Sequence, residues 1–562
     1  YVGGSEYNLF NFTGASLKVI GGQFDTCQAA FQDSASASLY AGLIWSFDGC
    51  TFKDFRFGVT IDDDAATNNA GSYFSKLTIE DCYFSARENF VANGGTAQAS
   101  YDLLQEANGK RIAHLSVLNN TGFTGGTRSI VANSSSNGHA DIIGNKWKDY
   151  VNQDTTSTDP DAQFILLESG TAYVAGNKGE NLDIISLAVQ ANDQEAVRYG
   201  ASVSYAHHVG NTWIDAGGAE SVLNLKGAQS VHIEGDLIEW SDAYNTKMLA
   251  SAASNPRTVG IMAPKDKLSG NVTIKNSTAC LVEYDSTRQG ASADLKITAV
   301  DCDTSAASYG NNEAIRFAGG GTTLNSGSFE IIVSQTDTTN GKVPERVVYW
   351  VGDTSEVVIT GVLKWKGDLI GSGSGRSLGR VSFLARQYDF VNATKGFELG
   401  ATTTGSSCVI SGHFINDESL NYVNKFADGF TEAFTSFDLD ATGVIKDKAL
   451  HNERYFAFAP MLSSAWDVEF SGVFRRASAA GSAIKDGCKV RGEYFLNCDS
   501  AGTVSGTAIA ETVTQAGSNF AAGGTAVASN VLQIRPIDLV GDITDLVSGS
   551  YRITARGVQR EA

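Results

Sequence analysis

Carboxylates recur at one place in a repeated phrase of this 562-residue chain, and that spacing could serve chemistry. Asp149, Glu180, Asp215 and Glu239 each follow an Asn or Asp by three or four residues, and Glu283 follows Asn276 by seven. On successive turns of a coiled chain such acids would stand about 4.8 Å apart. Like charges at that distance repel and raise one another's pKa. Glycoside hydrolysis needs one protonated and one ionised carboxyl group, about 5–5.5 Å apart for retention and about 6.5–9.5 Å for inversion. Asp215 and Glu239, one coil apart, suit the first; Asp215 and Glu283, two coils apart, suit the second. Residues 234–244, which include Glu234, Asp236, Glu239, Trp240, Asp242 and Tyr244, are the densest meeting of acids with aromatic rings. The candidate catalytic set is therefore Glu239, Asp215 and Glu283. Trp240, Asp242, Tyr244, Asp285, Arg288 and Asp303 are candidates for substrate contact. The competing reading is that some of 62 acids line up on a solvated face and do nothing more.

Positioning these groups is the task of the phrase itself: an apolar strand end, an Asn or Asp, a Cys or aromatic residue close behind, then a polar turn. It starts at Asp48, Asp81, Asn120, Asn145, Asn177, Asn211, Asp236, Asn276 and Asp301, at intervals of 33, 39, 25, 32, 34, 25, 40 and 25 residues. A coil with loops inserted into its turns gives such irregular repeats. Short alternating runs such as Leu77–Ile79, Leu115–Val117, Val231–Ile233, Val272–Ile274 and Leu295–Ile297 precede the turns and present one face inward. Paired runs joined by two-residue turns, the mark of hairpins, are rare. The expected fold is all-β: a single-stranded parallel β-helix, or β-solenoid. In the second half the rhythm continues through Gly361, Gly412, Gly443, Gly472 and Gly492, which carries the body to about residue 500. The expected division is 1–20 as cap or connector, 21–500 as β-helix body and 501–562 as a small β C-terminal cap or trimerisation region, since an open solenoid end must be covered.

Composition agrees. There are 60 Gly and only 6 Pro, and no charged or Pro-rich linker breaks the chain. Net charge is 42 − 62 = −20 without a basic block, which argues against nucleic acid or an anionic membrane as partner. No apolar run is long enough to insert in a membrane. Cys27, Cys50 and Cys82 are 23 and 32 residues apart and Cys280 and Cys302 are 22 apart. Those are coil spacings, so the thiols read as small core fillers and not as disulfides.

The coil phrase, the Asn and Cys ladders, the scarcity of Pro and the acidic Gly/Ser/Thr-rich composition resemble the right-handed parallel β-helix of the pectate-lyase-like superfamily. Within it, residues 15–500 look most like the receptor-binding body of bacteriophage tailspikes. The resemblance implies a homotrimer on the phage virion that binds bacterial surface polysaccharide, capsule or O-antigen, and cleaves it by carboxylate acid/base catalysis. It implies no cofactor. A chain beginning Tyr1-Val2-Gly3-Gly4 is expected to be a fragment or processed product, joined to the phage tail through a region before residue 1. A non-catalytic adhesin and a polysaccharide lyase remain alternatives, because this fold hosts all three activities.

Other constellations carry less. His207 and His208 are adjacent, and in a strand adjacent side chains face opposite ways, so the two cannot chelate one metal; no metal site is expected. Asp62-Asp63-Asp64 reads as an acidic turn. Arg257, Arg288 and Arg316 could meet sugar carboxylates or pair with surface acids. Trp147 and Trp213 read as core, Trp240 as exposed, and Gly371–Gly375 as a flexible turn.

Overall fold

The computed structural model describes residues 8–12, 15–33, 41–61, 73–85, 102–106, 111–123, 131–132, 138–151, 162–183, 194–216, 221–251, 259–284, 289–304, 312–317, 323–336, 341–350, 353–367, 370–372, 377–390, 404–415, 421–425, 430–438, 455–459, 464–477, 484–499, 503–516, 520–522, 525–528, 531–534, 537–539 and 546–559. Chain contacts divide it into two units, the first running to Tyr284 and the second holding the described residues from 289 onward.

In the first unit, strands separated by one coil pair in parallel and in register. One row runs Thr51, Tyr83, Thr121, Lys146, Lys178, Thr212 and Leu237. A second sheet stacks Val197, Leu223, Ile261 and Val282. This is the expected parallel β-helix, and its interior is the inward half of each alternating strand: Leu77, Ile79, Val117, Ile142, Val174, Ile233 and Ile274 are all buried. The described N-terminal strands continue the coil: Asn8 pairs with Ala29 and Leu17 with Trp45, both in parallel. Trp147 and Trp213 are core residues as expected, 1% and 0% exposed. Gly179 lies in register between them, and the ring of Phe164 fills the space its missing side chain leaves, stacked within 17° of both indoles.

One corner of the coil explains the repeated phrase. Gly49, Asp81, Asn119, Gly144, Gly176, Gly210 and Gly235 all sit there with φ between 52° and 77°, the left-handed region that Gly, Asn and Asp reach most easily. The next residue turns inward at each copy: Cys50, Cys82, Asn120, Asn145, Asn177, Asn211 and Asp236, every one 2% exposed or less. In Asn145, Asn177, Asn211 and Asp236, Oδ1 accepts both the backbone N–H and the side-chain N–H of the Asn one coil earlier, at 2.9–3.0 Å, and Asn120 Oδ1 accepts the Cys82 N–H at 2.9 Å. The second N–H of each amide goes to a backbone carbonyl, Ile79, Val117, Ile142 or Val174, at 2.7–3.0 Å. No buried polar group of the ladder is left over, which is the condition for burying it. Cys50 and Cys82 continue the stack as thiols, and Cys280 and Cys302 are likewise buried and in no disulfide. The side chain of Cys27 lies outside the described residues.

In the second unit parallel pairing runs through Thr404–Ile415 and Phe430–Asp438. From residue 464 the order changes: Ser464–Ala477 pairs antiparallel with Ile484–Cys498, which pairs antiparallel with Val504–Ala516. The last strand, Leu546–Gln559, pairs antiparallel with both Phe430–Asp438 and Ser464–Ala477. The parallel body thus stops before residue 500. Gly472 and Gly492, read as successive coils, lie on two arms of one antiparallel pair in which Ser471 opposes Arg491, and a glycine spacing alone does not distinguish a coil from a hairpin.

Candidate functional site

Register decides which acids meet. Lys148, Glu180, Ile214, Glu239 and Lys275 form one row on the outward side of the first unit. Asp215 is one position beyond it, so it does not stack on Glu239. Glu180 and Glu239 are the two carboxylates the row contains, two coils or about 9.6 Å apart along the backbone, with Ile214 between them. Each has a lysine: Lys178 on Glu180 and, at 3.8 Å, Lys275 on Glu239. Both are partly exposed, Glu239 at 41%.

The other expected site residues are held differently. Asp215 has φ 49° and spends both carboxylate oxygens on Ser241, accepting its N–H at 2.6 Å and its O–H at 2.9 Å. Asp301 treats Thr336 in the same manner, at 2.8 and 2.6 Å, so this is a corner device used at two places. Ser241 caps a helix, Asp242–Ser251, by accepting the N–H of Tyr244. Asp242 stands in the first turn, where a negative charge complements the helix dipole, and accepts a hydrogen bond from Asn276 at 2.9 Å. Trp240 and Tyr244 are 2% and 5% exposed and stack on each other. They offer no face to a sugar, which corrects the exposed position expected for Trp240: the chain turns into the helix there and folds both rings under it. Glu283 is 3% exposed on an entirely buried strand and in register with Met262, not with Glu239. Asp303, in the second unit, is bonded through both oxygens to Lys366 at 2.8 Å. Arg316 pairs with buried Glu313 and lies over the Tyr349 ring. Asp285, Arg288, Arg257, residues 62–64 and 373–375, and the side chain of Asp149 lie outside the described residues.

A face the sequence did not single out precedes the ladder corner. Its outward rows are Asp141, Tyr173, His207, His232 and Ser269, and beside them His114, His139, Thr171, Tyr205 and Ser230. Tyr205 is 44% exposed. Asp141 holds His114 at 3.0 Å and His139 at 3.1 Å, one oxygen each, and the other ring nitrogen of His139 meets the Thr171 hydroxyl at 2.8 Å. His207 and His232 face each other across one coil with ring centroids 5.1 Å apart, and Tyr173 meets His207 edge to face at 5.5 Å. Aromatic and hydrogen-bonding groups thus repeat at the coil spacing on a face open to solvent.

His208 turns the other way, as expected of a strand neighbour, and is fully buried. Its Nδ1 lies 3.0 Å from Asp236 Oδ2 and its Nε2 2.6 Å from the Tyr199 hydroxyl. An ionised Asp only accepts, so a neutral His208 donates to it from Nδ1 and accepts the Tyr199 proton at Nε2. Burial, with the Asp236 charge adding to it, raises the Tyr199 pKa well above its ordinary value. This chain of bonds is sealed in the core and closes the amide ladder at its charged end. Its part is structural.

No family model matches the chain, and no curated protein does. Among solved structures it is similar to the tailspike protein of E. coli bacteriophage HK620 in complex with pentasaccharide, at 11% identity over 96% of this chain and 87% of that one, with a TM-score of 0.30. It is also similar to tailspike gp49 from Acinetobacter baumannii bacteriophage Fri1, a capsular polysaccharide depolymerase, at 10% identity over 92% and 82% with a TM-score of 0.23. The Acinetobacter baumannii phage AM24 tailspike protein is similar at 8% identity over 97% and 79%, with a TM-score of 0.19. At these superposition scores the likeness carries no argument about activity.

Proposed function

We propose that this chain is the polysaccharide-binding body of a phage tailspike and that a bacterial surface polysaccharide lies along its outward coils. The sequence resemblance suggests the ligand class. The observation that carries its placement is the in-register row Asp141, Tyr173, His207, His232. A polymer with a repeating unit gains from a surface with a repeating unit, because one mode of contact recurs along both. Tyr rings offer flat apolar faces with a polar edge, and imidazole and carboxylate groups offer donors and acceptors for hydroxyls. The buried amide ladder keeps the spacing of these rows fixed.

For the activity, we propose acid/base hydrolysis with Glu239 as one carboxyl group. Glu180 replaces Asp215 and Glu283 as its partner, since it shares the row and both of its companions in the original set are engaged or buried. The two-coil backbone separation of about 9.6 Å lies just beyond the inverting range of about 6.5–9.5 Å between carboxyl groups, which the two side chains reach by leaning toward each other. Against cleavage, a non-catalytic receptor-binding role draws support from the lysines that neutralise both carboxylates. Incubation with capsule and O-antigen polysaccharides and mass spectrometry of the products tests this. The expected result is oligosaccharide release carrying one added water per cleavage, lost about 100-fold or more in Glu239→Gln with polymer binding retained. Unaltered turnover in that variant removes Glu239 from the chemistry, unsaturated products indicate a lyase, and binding without products indicates a receptor.

A further inference from the structure

His207, His232 and Glu234 place three metal-ligating atoms within 4.8 Å of one another on the outward face. His207 and His232 are partners across one coil, and Glu234 follows His232 by two positions, hence on the same side of the strand. His207 Nε2 lies 3.5 Å from Glu234 Oε2. In a tetrahedral zinc site, metal–ligand bonds of about 2.0–2.2 Å put donor atoms about 3.4 Å apart. That distance already matches.

A second observation concerns the ring nitrogen itself. His207 Nε2 is shielded from solvent and makes no hydrogen bond; what it faces, at 3.5 Å, is the Glu234 carboxylate. Nearby, His232 Nδ1 meets the Ser269 hydroxyl at 3.0 Å. That bond orients the ring and leaves Nε2 as its metal-ligating nitrogen, the way groups behind metal-bound imidazoles set their tautomer. The neighbouring cluster of His114, His139 and Asp141 makes a useful contrast. There the carboxylate is shared between both imidazoles and His139 is bonded at its second nitrogen as well, so its groups satisfy one another.

We infer that His207, His232 and Glu234 bind a divalent cation of the zinc class, with three protein ligands and a fourth position open to the outward face. Two imidazoles and one carboxylate favour a borderline-soft ion over magnesium or calcium, which prefer oxygen. An open fourth position takes water or a ligand oxygen. The site stands whether or not the same face binds glycan.

The test is titration of zinc ion into the whole chain, stripped beforehand with chelator, by calorimetry, with cobalt ion as a spectroscopic substitute. The expected result is one tight site per chain, visible d–d absorption with cobalt, and affinity reduced more than about tenfold in His207→Ala, His232→Ala and Glu234→Gln. Ser269→Ala, which touches the cation only through His232, should weaken binding by about tenfold, and His139→Ala should leave it unchanged. Absence of a tight site, unchanged affinity in His207→Ala, or loss in His139→Ala overturns the assignment. Each variant is checked for unaltered melting of the metal-free chain, so that a folding defect is not read as lost binding.

Discussion

The two sides of one corner use the same strands for opposite purposes. Inside, Asn120, Asn145, Asn177, Asn211 and Asp236 stack with every donor and acceptor matched. Outside, Tyr173, His207 and His232 stack at the same spacing, with solvent on one side and a ring nitrogen of His207 left without a hydrogen bond. Polar residues repeated at the coil spacing are therefore not in themselves a site. A closed set of bonds makes a scaffold, and an open set can receive a ligand.

The largest break of this contrast is Asn177→Ala. It removes two hydrogen bonds donated by the side chain and two accepted by it, so the Asn145 N–H groups and the Ile142 carbonyl lose these partners in the core, while Asn211 Oδ1 keeps only the backbone N–H of residue 177. The expected loss is about 4 kcal/mol, read as a lowered denaturation midpoint; a loss below about 1 kcal/mol would show that the ladder does not hold the corner. A smaller effect, about 2 kcal/mol, is expected for Asp236→Asn. The new amide N–H would confront the donating Nδ1 of His208, the imidazole would shift its proton to Nε2, and the Tyr199 hydroxyl would then have no acceptor. Wild-type stability in that variant would contradict the proton arrangement drawn for His208. Outward substitutions such as Tyr205→Ala should stay within about 0.5 kcal/mol.

How much of this was readable from the sequence depends on the residue. The β-helix was, because the phrase recurs wherever the corner does, and Asn120 to Asp236 are indeed one stacked column. The phrase slipped beyond it: Asp236 is followed in register by Val272, and Asn276 belongs to the corner of Asp215. A better anchor was present in the Gly-Asn pairs at 144–145, 176–177 and 210–211, where the glycine carries the positive φ and the amide the ladder. The expected stacking of Asp215 on Glu239 came from the same slip: Ile214 is the residue in register with Glu239, and a shift of one residue in a strand moves a side chain to another row and face. Glu180 with Glu239 needed true register to be seen. The helix was signalled by Ser241-Asp242, an N-cap followed by an acid, but acids close to aromatic rings read as substrate contacts. His232 escaped notice because its partner is His207, 25 positions earlier, and a sequence read along the chain offers only His208.

The most direct test of the outward face is the affinity of Tyr173→Ala/Tyr205→Ala, relative to wild type, for whichever bacterial capsule or O-antigen polysaccharide the chain binds. The account predicts binding weakened at least about tenfold while the unfolding midpoint changes little. Binding at wild-type strength, or no binding of the wild-type chain to any polysaccharide in a broad panel, would contradict it.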